Sequence, residues 1–192
     1  MIKLLPLILV SLALFSCDNK DTQNSVPTSK SPSAQSKSAA NLEVDSNGLS
    51  KAKATIKTVH GNITFKFYPK EAPNTVTRII ELVEQGFYNG LTFHRVIPNF
   101  VIQGGDPQGN GTGGSGKNLK AEFNKIQHIK GAVAMARAQD PDSADSQFYI
   151  ALSTLPHLDN KYTVFGQMID GFDILEKIAK GDKMLAVTVE YE

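Results

Sequence analysis

The sequence predicts a mainly β domain, a closed barrel or a sandwich, joined to a leading segment that does not fold with it. Three observations carry this. About eight short apolar segments of strand character are separated by turns rich in glycine and proline. Only two stretches show helical spacing of their apolar residues, and the order reads β-β-α-β-β-β-β-β-α-β. Residues 18–50 hold almost no large apolar side chains. The 192 residues suit one domain plus extras, and 41% hydrophobic with 20% charged residues is ordinary for a soluble globular protein. Net charge is +1 with no basic run, so composition makes no case for nucleic acid. The single cysteine excludes an internal disulfide and a cysteine-based zinc site.

Residues 1–17 have one early lysine, an apolar run over 4–15, then Ser16-Cys17. This describes a secretory signal; about a dozen apolar residues fall short of the roughly 20 that span a bilayer. Leu14-Phe15-Ser16-Cys17 resembles the lipobox of bacterial lipoproteins, with Phe15 bulkier than the usual residue. Cleavage there would remove 1–16 and leave Cys17 as a lipid-bearing terminus, firmly anchored by several acyl chains, palmitate among them. The alternative is an ordinary signal followed by a free or buried thiol. Residues 17–51 then read as the lipidated cysteine and a disordered polar tether, with an r.m.s. span on the order of 30 Å. The folded domain is 52–192. Asp18 resembles the inner-membrane retention signal of Gram-negative lipoproteins. The expected location is the cell envelope, facing the periplasm or the exterior.

Residues 54–59 and 63–67 are strands with lysines alternating among apolar residues, joined by a hairpin turn at His60-Gly61-Asn62. Pro73-Asn74-Thr75 opens a helix; Val76, Ile79, Ile80 and Val83 follow its period and Gly86 ends it. Further strands are expected over 132–137, 146–152, 162–168 and 187–191, with a second helix from Phe172 to about Ala179 before Gly181.

The glycine-rich loop 104–116 contains two motif-like spacings. Gly109-Asn110-Gly111-Thr112-Gly113-Gly114 matches G-x-G-x-x-G, and Gly111 to Lys117 nearly matches a P-loop. A P-loop needs a hydroxyl after its lysine, where Asn118 stands, and both motifs need a helix starting at the loop. A tight backbone turn is the better reading. His60, His94, His128 and His157 are scattered, no G-x-S-x-G occurs, and His94 reads as a packed structural residue. Neither a metal nor a cofactor is expected.

Between the first helix and this loop lies Phe93-His94-Arg95-Val96-Ile97-Pro98-Asn99-Phe100-Val101-Ile102-Gln103-Gly104-Gly105-Asp106. It reads as two short strands joined at Ile97-Pro98-Asn99. Alternation puts Arg95 on the face of Phe93 and Gln103 on the face of Val101. Two readings stay open: a snorkelling arginine and a solvent-facing glutamine, or a hydrogen-bonding site beside an apolar pocket.

This stretch resembles the cyclophilins, a family of peptidyl-prolyl isomerases. Further matches follow in order: Asn110-Gly111-Thr112-Gly113-Gly114, Met135-Ala136, Ser146-Gln147-Phe148, Leu158-Asp159 and Val164-Phe165-Gly166. The resemblance covers about 52–192 and implies a closed eight-stranded antiparallel β-barrel with an α-helix over each end. By position, Arg95 matches the catalytic arginine and Gln103 the glutamine that orients the substrate backbone. Phe100, Tyr149 and Leu158 match residues of the proline pocket, and Ala136 and Arg137 the strand that pairs with peptide. Val101, Gln147, His157 and Tyr162 join the implied substrate-binding set. Val101 replaces a methionine, Tyr149 a phenylalanine, Arg137 an asparagine and Tyr162 a histidine. His157 stands where tight cyclosporin binders carry tryptophan, so weak binding at most is implied. Gln147, Tyr149 and Ala151 share one strand face, which places the site on the outer wall. Phe100 breaks the alternation and needs a twist or bulge after Pro98-Asn99.

The implied function is rotation about X-Pro bonds of exported or envelope proteins by a monomer whose partners are proline-containing polypeptides and, through Cys17, a membrane. The alternatives are a proline-segment-binding chaperone or scaffold with little turnover, and a structural envelope lipoprotein.

Overall fold

The computed structural model describes residues 46–49 and 51–191. The signal segment, Cys17 and Asp18 lie outside the described residues. A one-turn helix, α1 (Ser46–Leu49), falls inside the stretch expected to be tether, and Leu49 packs against the core.

Eight strands follow: β1 (Lys53–Thr58), β2 (Gly61–Phe67), β3 (Arg95–Ile97), β4 (Val101–Gly104), β5 (Ala132–Met135), β6 (Phe148–Ala151), β7 (Val164–Asp170) and β8 (Ala186–Glu190). They form one antiparallel sheet in the order β3-β4-β6-β5-β7-β2-β1-β8. The expected closure is not made: β3 and β8 end the sheet without pairing, and the fold is an open, curled half-barrel. β3 has three residues and its partner segment before β8 is not a strand. Among the described residues, one bridge, Thr92 to Lys183, and backbone hydrogen bonds joining Gly90, Leu91 and Phe93 to Gly181, Asp182 and Met184 cross the gap without forming a strand pair.

β1 and β2 alternate as expected, burying Ala54 and Ile56 opposite Phe65 and Ile63. Their hairpin is tightened by the Thr58 hydroxyl, which donates to Gly61 O at 2.8 Å. α2 (Pro73–Glu84) buries Val76, Ile79, Ile80, Leu82 and Val83 and packs on β8. No side chain of its own caps it; the Glu122 carboxylate accepts from the Asn74 and Thr75 amides instead. α3 (Phe172–Leu175) is shorter than the expected second helix. The Asp182 carboxylate accepts from Ala179 N at 2.8 Å and bends the chain toward Gly181.

Two apolar layers flank the sheet. The inner one includes Phe65, Phe93, Ile102, Phe148, Ile150 and Phe165. The outer one is made by Val101, Ala132, Ala134, Tyr149, Ala151, Leu155 and Val164. β5 and β6 are therefore buried on both faces, as a site-bearing wall requires. One expectation about faces is corrected. Phe93 lies in the inner core and Arg95 is exposed, because Phe93 and His94 precede β3 and do not follow its alternation.

Candidate active site

Arg95, Phe100, Val101, Gln103, Ala136, Arg137, Tyr149, Leu158 and Tyr162 line one cavity of about 180 Å³ on the outer wall. The β3–β4 turn explains Phe100. Phe100 N donates to Ile97 O at 3.1 Å around Pro98 and Asn99, and Asn99 has φ 59°. Proline second and a positive φ third make a type II turn. It swings Phe100 to the outer face, where the Arg95 guanidinium lies 5.7 Å from its ring. Arg95 pairs with Gln103 in the β3–β4 ladder, and Nη1 donates to Gln103 Oε1 at 3.2 Å. Gln103 Nε2 in turn donates to Gln147 Oε1 at 2.9 Å.

The cavity floor is Tyr149, with Tyr162 edge-on at 5.8 Å. Behind it stands a buried relay that sequence reasoning missed. The Tyr149 hydroxyl meets His128 Nε2 at 2.9 Å, and His128 Nδ1 meets Asp159 Oδ1 at 2.9 Å. A carboxylate only accepts, so Nδ1 carries the proton and Nε2 accepts from the tyrosine. Backbone and side-chain hydrogen bonds from His128 hold the Asp159 carboxyl below its usual range. Burial pushes the Tyr149 hydroxyl up, so it stays protonated. The only sequence signals were a lone histidine and the Leu158-Asp159 pair.

Two predicted residues stand outside this cavity. His157 is exposed and stacks on Phe100 at 5.9 Å. Gln147 lines a second, more polar hollow of about 390 Å³ with Gly111, Gly113, Asn118, Ser143 and Asp145. The two hollows share Gln103, Ala136 and Arg137, so they are neighbours along one groove. Arg137 is tied down by the carbonyls of Ala138, Gln139 and Lys161, and its guanidinium lies 4.8 Å from the Tyr162 ring. Ala136 N bonds Gln147 O, continuing the β5–β6 contact past the ladder. His94 is buried and outside both cavities; burial, helped by Arg95 and Lys180 and opposed by Asp106, keeps it neutral.

The glycine loop does not offer a phosphate cradle. The amides of Gln108, Asn110 and Gly111 go to the Asp106 carboxylate, and those of Ser115 and Gly116 go to Asp145. No helix starts after it. Among the described residues no group of three His, Cys, Asp or Glu could hold a metal ion.

Residues 53–190 match the family described as cyclophilin type peptidyl-prolyl cis-trans isomerase/CLD. A peptidyl-prolyl cis-trans isomerase of Helicobacter pylori is 46% identical over 145 residues, covering 73% of this chain and 88% of that protein. Peptidyl-prolyl cis-trans isomerase B of Bacillus subtilis is 47% identical over 130 residues, covering 67% and 90%. A Cryptosporidium parvum cyclophilin type isomerase, crystallised in the presence of the dipeptide Ala-Pro, superposes with a TM-score of 0.69 at 29% identity, covering 73% of this chain and 99% of that one. The match spans every strand of the half-barrel and the whole outer-wall groove, and the chain belongs to the cyclophilin-type peptidyl-prolyl cis-trans isomerases, enzymes that rotate the peptide bond before proline.

Proposed function

We propose that the cavity under Arg95 holds the proline ring of an exported polypeptide and that Arg95 is the catalytic donor. One observation carries the reading. A guanidinium is held at the mouth of an apolar cavity by a hydrogen bond to Gln103, and among the described residues its other N–H groups have no hydrogen-bond partner.

The barrier to rotating a peptide bond is roughly 20 kcal/mol, and it comes from amide resonance. No covalent bond changes, so the chemistry asks for no nucleophile and no cofactor. Twisting the bond localises a lone pair on the proline nitrogen. Phe100, Val101, Tyr149, Leu158 and Tyr162 strip water from the ring and favour the less charge-separated twisted amide. Arg95 donates to the pyramidal nitrogen, an interaction absent in the planar ground state, so it lowers the barrier. A charged hydrogen bond contributes about 1.5–3 kcal/mol, or one to two factors of ten in rate. Gln103 aims the arginine, His157 backs Phe100, and the shared edge at Ala136 and Arg137 leads the preceding residues into the second hollow. A histidine in place of the usual tryptophan supports weak cyclosporin binding at most.

The leading segment supports an envelope location: lipid on Cys17, a polar tether and an isomerase domain, acting as a monomer on proteins folding outside the cytoplasm. Cys17→Ser should release the protein from the membrane fraction and remove its acyl mass; retention of both would refute the anchor.

The catalytic reading is tested by exchange NMR on a cis/trans proline tetrapeptide. Arg95→Ala should slow enzyme-driven exchange at least about tenfold with the fold intact. Unchanged exchange in the folded variant refutes Arg95 as donor. A parent protein that shifts peptide peaks without speeding exchange would make it a binder instead.

A further inference from the structure

Asp106 is 1% exposed and touches neither hollow, yet its carboxylate gathers three backbone N–H groups of the glycine loop. Gly111, at φ 95°, and Gly113 let the loop wrap it; a Cβ at Gly113 would overlap Asp106 Oδ1. The wrapped loop turns carbonyls toward the groove. Gly111 O and Gly113 O accept from Gln147 Nε2 at 3.1 and 2.8 Å.

From there the direction of every bond is forced. With its NH₂ on two carbonyls, Gln147 must present Oε1 to Gln103. Gln103 must then answer with Nε2, at 2.9 Å, and present Oε1 to Arg95. A flip of either amide would set donor against donor or acceptor against acceptor. The loop thus decides which atom of Gln103 faces the guanidinium.

We infer that Asp106 is a positioning residue for isomerisation: it fixes the glycine loop, and through Gln147 and Gln103 it fixes the orientation of Arg95. The inference rests on Arg95 as the donor. Burial alone would raise the Asp106 carboxyl, but the three amides outweigh it and hold the group ionised, as a permanent acceptor must be.

The test is a mutant cycle on the full chain, with kcat and KM from exchange NMR on the proline tetrapeptide. Asp106→Asn keeps the size but turns an NH₂ toward amides it cannot accept from. It should lower kcat about threefold to tenfold with KM within about twofold, as expected for an interaction used only in the transition state. In a Gln147→Leu background, which cuts the relay, Asp106→Asn should lower kcat no further. An unchanged kcat, a rise in KM alone, or independent multiplication of the two effects overturns the relay. If Asp106→Asn does not fold, Gly113→Ala crowds the same carboxylate and carries the same expectations. Arg95→Ala, measured alongside, separates the failures. If it keeps parental kcat, the donor assignment has failed; if it is slow while Asp106→Asn is fast, only the relay has.

Discussion

Replacing Tyr149 by phenylalanine removes one oxygen from the pocket floor and tests the buried relay behind it. His128 has a fully buried side chain, and its Nδ1 proton is committed to Asp159. In the variant, Nε2 loses the tyrosine donor, and among the described residues no other hydrogen-bonding group reaches it. Leaving a buried acceptor unpaired costs about 1–3 kcal/mol. For a domain of this size that corresponds to roughly 3 °C of melting temperature per kcal/mol, hence a drop of about 3–9 °C. The aromatic ring stays, its packing on Tyr162 stays, and the hydroxyl does not face the substrate's reacting atoms. Activity at low temperature should therefore fall less than about threefold, a loss under 1 kcal/mol. Thermal unfolding followed by circular dichroism, with peptide exchange at 10 °C, reads both quantities. A variant as stable as the parent would show that the Asp159–His128–Tyr149 chain contributes nothing net. A large loss of rate with unchanged stability would move the hydroxyl into the chemistry.

Two further outcomes follow from the charges. His94 is held down mainly by burial, and Asp159 and Asp182 by hydrogen bonds led by backbone amides of His128 and Ala179; at Asp106 the loop amides overcome burial. All four bind protons more weakly folded than unfolded, so stability rises with pH. Their contributions are complete above the ordinary values of 6.5 for histidine and 3.8 for aspartate, and are lost as pH falls through the lowered folded values. Urea midpoints should be flat above about pH 7 and decline below, most steeply in the carboxylate range; a maximum at pH 4 would contradict this. Glu122→Ala should cost about 1–2 kcal/mol by uncapping α2, with no change in kcat; an unchanged urea midpoint would show that this distant cap is idle.

The strands and helices were legible where local periodicity and burial agree. β1 and β2 have one wet face, and their alternating lysines say so. α2 carries its period, its opening proline and its closing glycine. Failures came where a rule of regular structure was applied past the end of the element. Strand alternation does not reach Phe93, because β3 begins at Arg95. The apolar spacing runs on past the end of α3, where Asp182, seven residues beyond it, interrupts the helix. Barrel closure depends on whether strands meet across the gap, and the segments that meet there, around Thr92 and Lys183, make a single bridge and no strand. For the site, Phe100 needed the positive φ of Asn99, which the Pro98-Asn99 pair encodes as a type II turn once it is looked for. The long steps of the relays through His128 and Asp106 join residues 21 to 44 positions apart, and no local pattern announces such pairings.

Openness and function are linked through β3. In a closed barrel Arg95 would sit on a strand paired on both sides. Here, among the described residues, β3 is an edge bonded only to β4, so the side chain of Arg95 projects from the rim of the wall, hydrogen-bonded to Gln103 and lying over the Phe100 ring. A charged residue on an exposed edge also blocks edge-to-edge association. The adjacent wall is built the opposite way. β5 and β6 carry Ala132, Ala134 and Ala151 outward, and these small residues let Tyr149, Leu155 and the 155–163 turn lie close against the sheet. The result is a shallow apolar cavity with a rigid floor beneath a donor aimed from one side. That combination suits a reaction whose transition state is a twisted amide. On the proposed reading the floor grips the ring and the second hollow takes the residues before it, while the segment after the proline swings through open solvent. A deep enclosed pocket would hold both halves and block the rotation it was meant to assist.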